Sequence, residues 1–448
     1  MNDCEDLRAM SAIGFGSYRV VRGTAEHHAA LAHALALGCT LIDTASNYAD
    51  GKSEQLVGDV LAAHPRFDPF VVTKVGYISP STQRALAEVG VAPELLRRLS
   101  PESHYSLDAD VIRAQIGLSQ SRLRRSRIDA VLLHNPEHLF ERITTWETGK
   151  AFEATIVEAF TVLEEAVAAG AIGYYGVSSN VLPSSPANAP FSFERFHELA
   201  SAVTADHHFR IVEFPFNLIE REAALPNSDG KSLIDRVRAA GCISLGNRPL
   251  NARSGETAIR LASYDDEPVD QTDRFDELVE LVQRRLSEAG EPYSVDDFPI
   301  MRFLRDSRHG IEHPDTVDEI FNRHLYPFIA RLWEDDVPTE VRISVASLQA
   351  NARSHARQAL SRRAEQVQSE FAESGLIPGD GRELALAAVE FGLRSGIDHV
   401  LVGMRSTSYV ERLRRFFMPE PVTTRNQSAP MPLVRASSIS SVRSRAIG

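Results

Sequence analysis

The sequence predicts a (β/α)8 barrel with a large helical insertion between its seventh strand and the last barrel helices. Three observations lead there. Eight short apolar runs alternate with helical stretches, seven of the runs before residue 250 and the last near residue 400. No long break interrupts the first seven units, whereas the interval from about 253 to 380 is polar and breaks the rhythm. Polar residues stand at the ends of three successive runs, where a parallel barrel gathers its βα loops on one face.

The runs follow in order. Ala12 to Phe15 precedes a helix over Ala25 to Leu37, and Thr40 to Asp43 precedes one over Ser53 to Ala63. Phe70 to Lys74 is third, and a helix spans Asp110 to Arg127 with Val111, Ile112, Ile116, Leu118 and Leu123 apolar. Ala130 to His134 is fourth, followed by an amphipathic helix over Phe152 to Ala169 that Gly170 stops. Ile172 to Val177 is fifth, then a helix over Phe193 to Val203; Phe209 to Phe214 is sixth, then a short helix over Leu233 to Ala240. Cys242 to Leu245 is seventh, a helix spans Leu384 to Leu393, and His399 to Val402 is eighth.

Within 253–380 one apolar stripe is Phe275, Leu278, Val282 and Leu286, and a second is Ile320, Phe321, Leu325, Phe328, Ile329 and Leu332. Val341 to Val367 reads as a long, Arg-rich helix. At the C-terminal face of the barrel this insertion would serve as a lid, a partner surface or a packed decoration, and the sequence leaves all three open. The stretch 421–448, rich in Ser, Arg and Pro, is expected to be a disordered tail.

Composition narrows the function. Hydrophobic residues make up 43% of 448, enough for a sizeable core, and the net charge of -13 argues against nucleic-acid binding. The three cysteines are scattered and form neither a disulfide framework nor a zinc pattern, so the expected compartment is a reducing cytoplasm. No apolar run approaches the ~18 residues of a membrane span. Gly14-Phe15-Gly16 lacks the third glycine of a dinucleotide fingerprint, with Arg19 in its place. His27-His28, expected to face solvent from a helix, and the adjacent His207-His208 offer no metal-ligand geometry, so no metal site is expected.

The chemistry lies at the strand ends. The second run ends in Asp43, with Tyr48 on the loop beyond; the third ends in Lys74 and the fourth in His134. A lysine closing an apolar strand is costly to bury unless paired, and Asp43 on the neighbouring strand is its partner. A cation beside Tyr48 is expected to lower the phenol from about 10. A tuned proton donor, a held lysine and an orienting imidazole suit a reaction in which a carbonyl oxygen gains charge.

These residues carry a resemblance. The stretch Leu41-Ile42-Asp43-Thr44-Ala45-Ser46-Asn47-Tyr48-Ala49-Asp50-Gly51-Lys52-Ser53-Glu54 resembles the signature of the aldo-keto reductase superfamily, and Val72-Thr73-Lys74 and Leu132-Leu133-His134 resemble its lysine and histidine segments. The resemblance covers residues 10 to about 252 and 382 to about 415. It implies Tyr48 as general acid/base, Lys74 and Asp43 as the groups that tune it, and His134 as the group that orients the carbonyl. It also implies a nicotinamide cofactor, NADPH with NADH as the alternative. Gly16, Ser17 and Tyr18 are similar to the loop beside the nicotinamide. Ser178 and Ser179 are similar to the segment that holds the carboxamide, with Ser179 where Asn is usual. Glu213 stands where Gln is common, and Asn247, followed by Arg248, where a stacking tyrosine is usual. Gly403, Arg405 and Ser406 are similar to the loop that takes the adenosine 2′-phosphate, where Arg405 would pair bidentately.

The resulting expectation is an NAD(P)-dependent enzyme interconverting an aldehyde or ketone with an alcohol, acting on a small carbonyl or polyol. The competing expectation is a nicotinamide-binding regulatory or sensor subunit whose insertion, 253–380, contacts a protein partner. Arg248 near the mouth would favour an acidic substrate.

Overall fold

The computed structural model describes residues 3–140, 146–187, 189–227, 229–255, 257–263 and 273–417. Eight parallel strands close into a barrel: β1 (Ile13–Gly16), β2 (Leu41–Asp43), β3 (Phe70–Val75), β4 (Ile128–His134), β5 (Ile172–Ser178), β6 (Phe209–Pro215), β7 (Ile243–Asn247) and β8 (His399–Gly403). Each strand pairs with its neighbours in sequence, and β8 closes the ring against β1, Ile13 opposite Val400 and Gly16 opposite Gly403. The runs are continuously apolar because helices cover one face and the barrel interior the other. Leu41, Val72, Leu132, Ile211, Leu245 and Leu401 fill that interior, with Leu7 packed against them.

The outer helices are α1 (Ala25–Ala36), α2 (Lys52–Ala63), α3 (Ala109–Leu123), α4 (Trp146–Ala168), α5 (Phe193–Val203), α6 (Leu233–Ala239), α7 (Leu384–Arg394) and α8 (Thr407–Arg412). Their starts follow from caps. Asp108 accepts from the Asp110 N–H, Ser192 from the Arg195 N–H, and Ser232 with Asp235 forms a reciprocal capping box. Helix α3 stops earlier than the sequence pattern predicts, since Arg124 turns into the left-handed region at φ 53°. Arg125 then pairs with Asp129, whose carboxylate also accepts from the Val71 N–H and fixes the entry to β4.

Two small β features escape sequence patterning. Tyr77–Ile78, Arg97–Ser100 and Ser103–Tyr105 form a three-stranded antiparallel sheet after β3, and Asn251–Ser254 pairs with Thr257–Arg260 after β7. Strands of two to four residues are too short to show a period of two. His27 departs from expectation as well: it is half-buried, and its Nδ1 accepts from the Val21 N–H at 3.0 Å.

At one point the barrel leaves no room for a side chain. Gly176 on β5 lies opposite Ile211 where the register shifts, and an added Cβ would run into the Ile211 carbonyl. Gly176→Ala is therefore expected to cost about 3 kcal/mol, read as a lowered urea midpoint with unchanged slope. A variant as stable as the wild type would contradict this packing.

The barrel forms one compact unit, made of the described residues up to Ile259 and from Ala388 on. The second unit runs from Arg260 to Ala387 and has a core of its own. Helices Phe275–Glu288 and Pro299–Ser307, the continuous stretch from Pro314 to Leu332 with a wide π turn at Phe321–Leu325, and the 35-residue helix Thr339–Glu373 supply that core. The predicted stripe Phe275, Leu278, Val282 and Leu286 is buried, facing Val341, Val345, Leu348, Ala352 and Ala356 of the long helix. Those five recur at three- and four-residue intervals, as one helical face requires. The expected disordered tail, 421–448, lies outside the described residues. Among the described residues no helix is long and apolar enough to cross a membrane.

Candidate active site

The site is built at the C-terminal ends of the strands. Leu41 and Ile42 anchor β2 in the core and bring Asp43 to the mouth, where it is 4% exposed. The loop beyond turns sharply, with Ala49, Asp50 and Gly51 in succession in the left-handed region at φ 49°, 57° and 80°. Two of the three are not glycine, so the loop holds strain that its surroundings must offset. They do so from two sides. Asp50 accepts from the Ser81 N–H and its carbonyl from the Ser81 hydroxyl, both at 2.9 Å. Arg122 from α3 donates to the Ser46 carbonyl, to Glu54 and to Thr82.

This loop carries Tyr48 to Lys74. The lysine is wholly buried on β3, and its Nζ donates to the Asp43 carboxylate, to the Thr44 carbonyl at 3.2 Å and to the Tyr48 hydroxyl at 3.3 Å. A second carboxylate, Glu213 near the end of β6, lies 3.2 Å from the same ammonium. The imidazole of His134, closing β4, stands edge-on to the Tyr48 ring at 6.0 Å between centroids. Its Nδ1 is buried and has no hydrogen-bond partner among the described residues. The structure thus brings Asp43, Tyr48, Lys74 and His134 into one cluster.

Its electrostatics differ from expectation in one respect. Lys74 does pull the Tyr48 phenol down, but burial, with Asp43 and Glu213 adding to it, outweighs the lysine and raises the phenol above its ordinary range. Burial likewise pushes the Asp43 carboxyl up to about 7, against the pull of Lys74 and helped by the charge of Glu213. Burial opposes the lysine's charge, yet Asp43, Glu213 and Tyr48 together hold it well above the usual range. Burial and the neighbouring ammonium push His134 well below its usual value, so its ring is neutral at pH 7.

The residues tied to a cofactor by resemblance are placed unevenly. Tyr18 is 64% exposed, with its ring edge-on to Tyr48 at 5.1 Å. Gly16 is the strand partner of Gly403, and a Cβ there would press within 3.3 Å of the Val402 backbone. The Ser17 hydroxyl is spent internally, donating to the Asp43 carbonyl while Ser53 donates to it. Ser178 and Ser179 are buried at the end of β5, and the Ser179 N–H donates to the Glu213 carbonyl. Asn247 does not stand apart as an odd replacement: its Nδ2 donates to Glu213 Oε1 at 2.7 Å, and its Oδ1 is buried without a partner among the described residues. Arg248, expected to favour an acidic substrate, is already matched by Glu220 at 3.3 Å and the Asn180 Oδ1 at 2.9 Å. Ser406 caps α8, accepting from the Tyr409 N–H. Arg405, close enough for its charge to depress His27, makes no hydrogen bond or ion pair among the described residues.

Sequence reasoning missed a further polar wall. The Tyr77 hydroxyl contacts His138 Nε2 and accepts from Asn135 Nδ2 at 3.1 Å, and the Tyr77 ring lies 4.8 Å from that of His134. The signal was present in the run Asn135-Pro136-Glu137-His138 directly after β4. Among the described residues no group of three or more His, Cys, Asp or Glu is arranged to hold a metal ion.

Residues 12–188 match the model of the aldo/keto reductase family. A D-threo-aldose 1-dehydrogenase from Pseudomonas sp is 30% identical over 184 residues, 39% of this chain and 51% of that protein. An NADH-specific methylglyoxal reductase from Escherichia coli strain K12 is 32% identical over 142 residues, 32% of this chain and 37% of that protein. The chain thus spans about half or less of the length of these curated relatives. A solved glycerol dehydrogenase from Gluconobacter oxydans superposes with a TM-score of 0.48 at 16% identity, covering 98% of this chain and 93% of that one. Residues 12–188, which carry β1 to β5 and the strand-end residues Asp43, Tyr48, Lys74 and His134 within the closed eight-stranded barrel, are similar to the aldo/keto reductase family.

Proposed function

We propose that the chain is an NAD(P)-dependent oxidoreductase that interconverts a small aldehyde or ketone with an alcohol, with Tyr48 as its general acid/base. The observation that carries this reading is the Tyr48 hydroxyl at 3.3 Å from a wholly buried lysine, beside a neutral imidazole. A nicotinamide nucleotide fits the residues around it. Asn247 Oδ1 is a buried acceptor suited to an amide N–H, and Arg405 is a cation with no anion of its own among the described residues. When bound, the nicotinamide supplies or accepts the hydride.

Everything else falls to the chain's own residues. His134 orients the carbonyl oxygen by a neutral hydrogen bond and adds no charge that would compete with Lys74. Tyr48 gives that oxygen a proton as charge develops on it, and Lys74 receives the resulting phenolate. The resting phenol is protonated, the form that donates in the reductive direction. Relatives named for aldose oxidation and methylglyoxal reduction make small aldehydes and sugars the first substrates to try.

The test is a fluorescence titration with NADPH and with NADH, followed by turnover of methylglyoxal and D-aldoses. Saturable binding with turnover is the expected result; binding of neither nucleotide would sink the proposal. Binding without turnover of any carbonyl would favour the sensor reading instead. Arg405→Ala is expected to weaken NADPH about tenfold or more while leaving NADH nearly unchanged, as loss of a phosphate contact requires. Equal weakening of both would remove Arg405 from the 2′-phosphate role.

A further inference from the structure

Lys74 is one ammonium between two buried carboxylates. Asp43 on β2 and Glu213 on β6 are 4% and 1% exposed, and both reach its Nζ. Neither can turn to water. Glu213 is also fixed from behind, since Asn247 on β7 donates to its Oε1 at 2.7 Å and leaves Oε2 on the lysine. With the phenol of Tyr48 neutral and His134 uncharged, the group carries one more carboxylate than ammonium. Buried clusters do not hold an unmatched charge cheaply, and the usual relief is to take up a proton.

We propose that Glu213, held by Asn247, is a second counter-ion to Lys74, a positioning residue that keeps the ammonium charged and against Tyr48. Asp43 alone is an undependable partner, because it binds a proton at about 7. Through the neutral range part of the population has an uncharged Asp43, and in that fraction Glu213 holds the lysine. The groups acting on the Asp43 carboxyl are Lys74 and Glu213, with the neutral Tyr48 on the lysine and the charge-free His134 beside it. The arrangement also accounts for two departures from the family pattern as one unit, since the glutamate and the asparagine that replace the usual residues are bonded to each other.

The inference rests on the oxidoreductase reading only for its activity readout. The test compares Asp43→Asn, Glu213→Gln and the double variant in the full chain. With methylglyoxal and NADPH or NADH, each single variant keeps one counter-ion and is expected to lose about tenfold. The double variant leaves the lysine unpaired, able to lose its proton, and is expected to lose about a thousandfold or more, beyond the product of the singles. A double variant no worse than that product overturns the proposal. The second readout needs neither substrate nor a folded double variant. Infrared titration of the wild type between about pH 8 and pH 6 is expected to show a carboxylic-acid band appear that is absent in Glu213→Gln, where the remaining carboxylate is matched by the lysine. The same band in Glu213→Gln at the same midpoint also overturns it. A wild type that neither binds a nicotinamide nucleotide nor turns over methylglyoxal would defeat the enzymatic reading alone, and the infrared result would still decide the counter-ion.

Discussion

Tyr48→Phe is expected to lower turnover about a thousandfold while leaving the affinity for the nicotinamide nucleotide within about twofold. A positioned general acid contributes about a hundred- to ten-thousandfold, and the substitution removes that group alone. The ring remains, and with it the edge-on packing against Tyr18 and His134. Lys74 keeps Asp43 and Glu213, so the charge beneath the ring is undisturbed. The loss should therefore fall on kcat, with KM nearly unchanged, as expected for an interaction made in the transition state. A variant that kept a tenth of the wild-type kcat would show that the proton comes from elsewhere.

Lys74→Met should have the largest effect on stability, about 3–5 kcal/mol near pH 8. The substitution leaves Asp43 and Glu213 buried together with no cation between them. The sign of the pH dependence follows from the carboxyl. In the folded protein Asp43 binds a proton at about 7, above its unfolded value of 3.8, so the folded state takes up protons more readily. Its contribution to stability is full below about 4 and is lost as pH rises through about 7. Without the lysine the Asp43 carboxyl loses the charge that pulls it down, and its protonation relieves the repulsion from Glu213. The destabilisation should accordingly shrink between pH 8 and about pH 6, measured by urea unfolding of wild type and variant at both. An equal loss at the two values would mean that packing, rather than charge, sets the cost.

The barrel was legible because each strand is buried on both faces and so leaves an uninterrupted apolar run, from Val71-Val72 on β3 to Val400-Leu401-Val402 on β8. The cluster was legible for the same reason: Asp43, Lys74 and His134 are polar at the ends of such runs. What chain order conceals is which distant groups share a space. Glu213 lies 139 positions from Lys74 along the chain, and nothing in either segment announces their contact. The expected lowering of the Tyr48 phenol failed on that point, since it counted the nearby ammonium without burial or the second carboxylate. Arg122 reads as one more arginine near the end of its helix, yet it braces the strained loop that presents Tyr48. The antiparallel strands after β3 are too short to leave any pattern, though they place Tyr77 beside His134.

The seam between β1 and β8 has a consequence for how the chain is made. On a ribosome, seven strands emerge before the eighth, and the residues of the second unit must follow before His399–Gly403 appears. Until then β1 and β7 present open hydrogen-bonding edges, the condition under which nascent sheets stick to one another. A second unit with its own apolar core can fold in that interval, and the chain is spared the entropy of closing a free loop of that length. Translation terminated near residue 390 would release seven strands without the one that seals the ring.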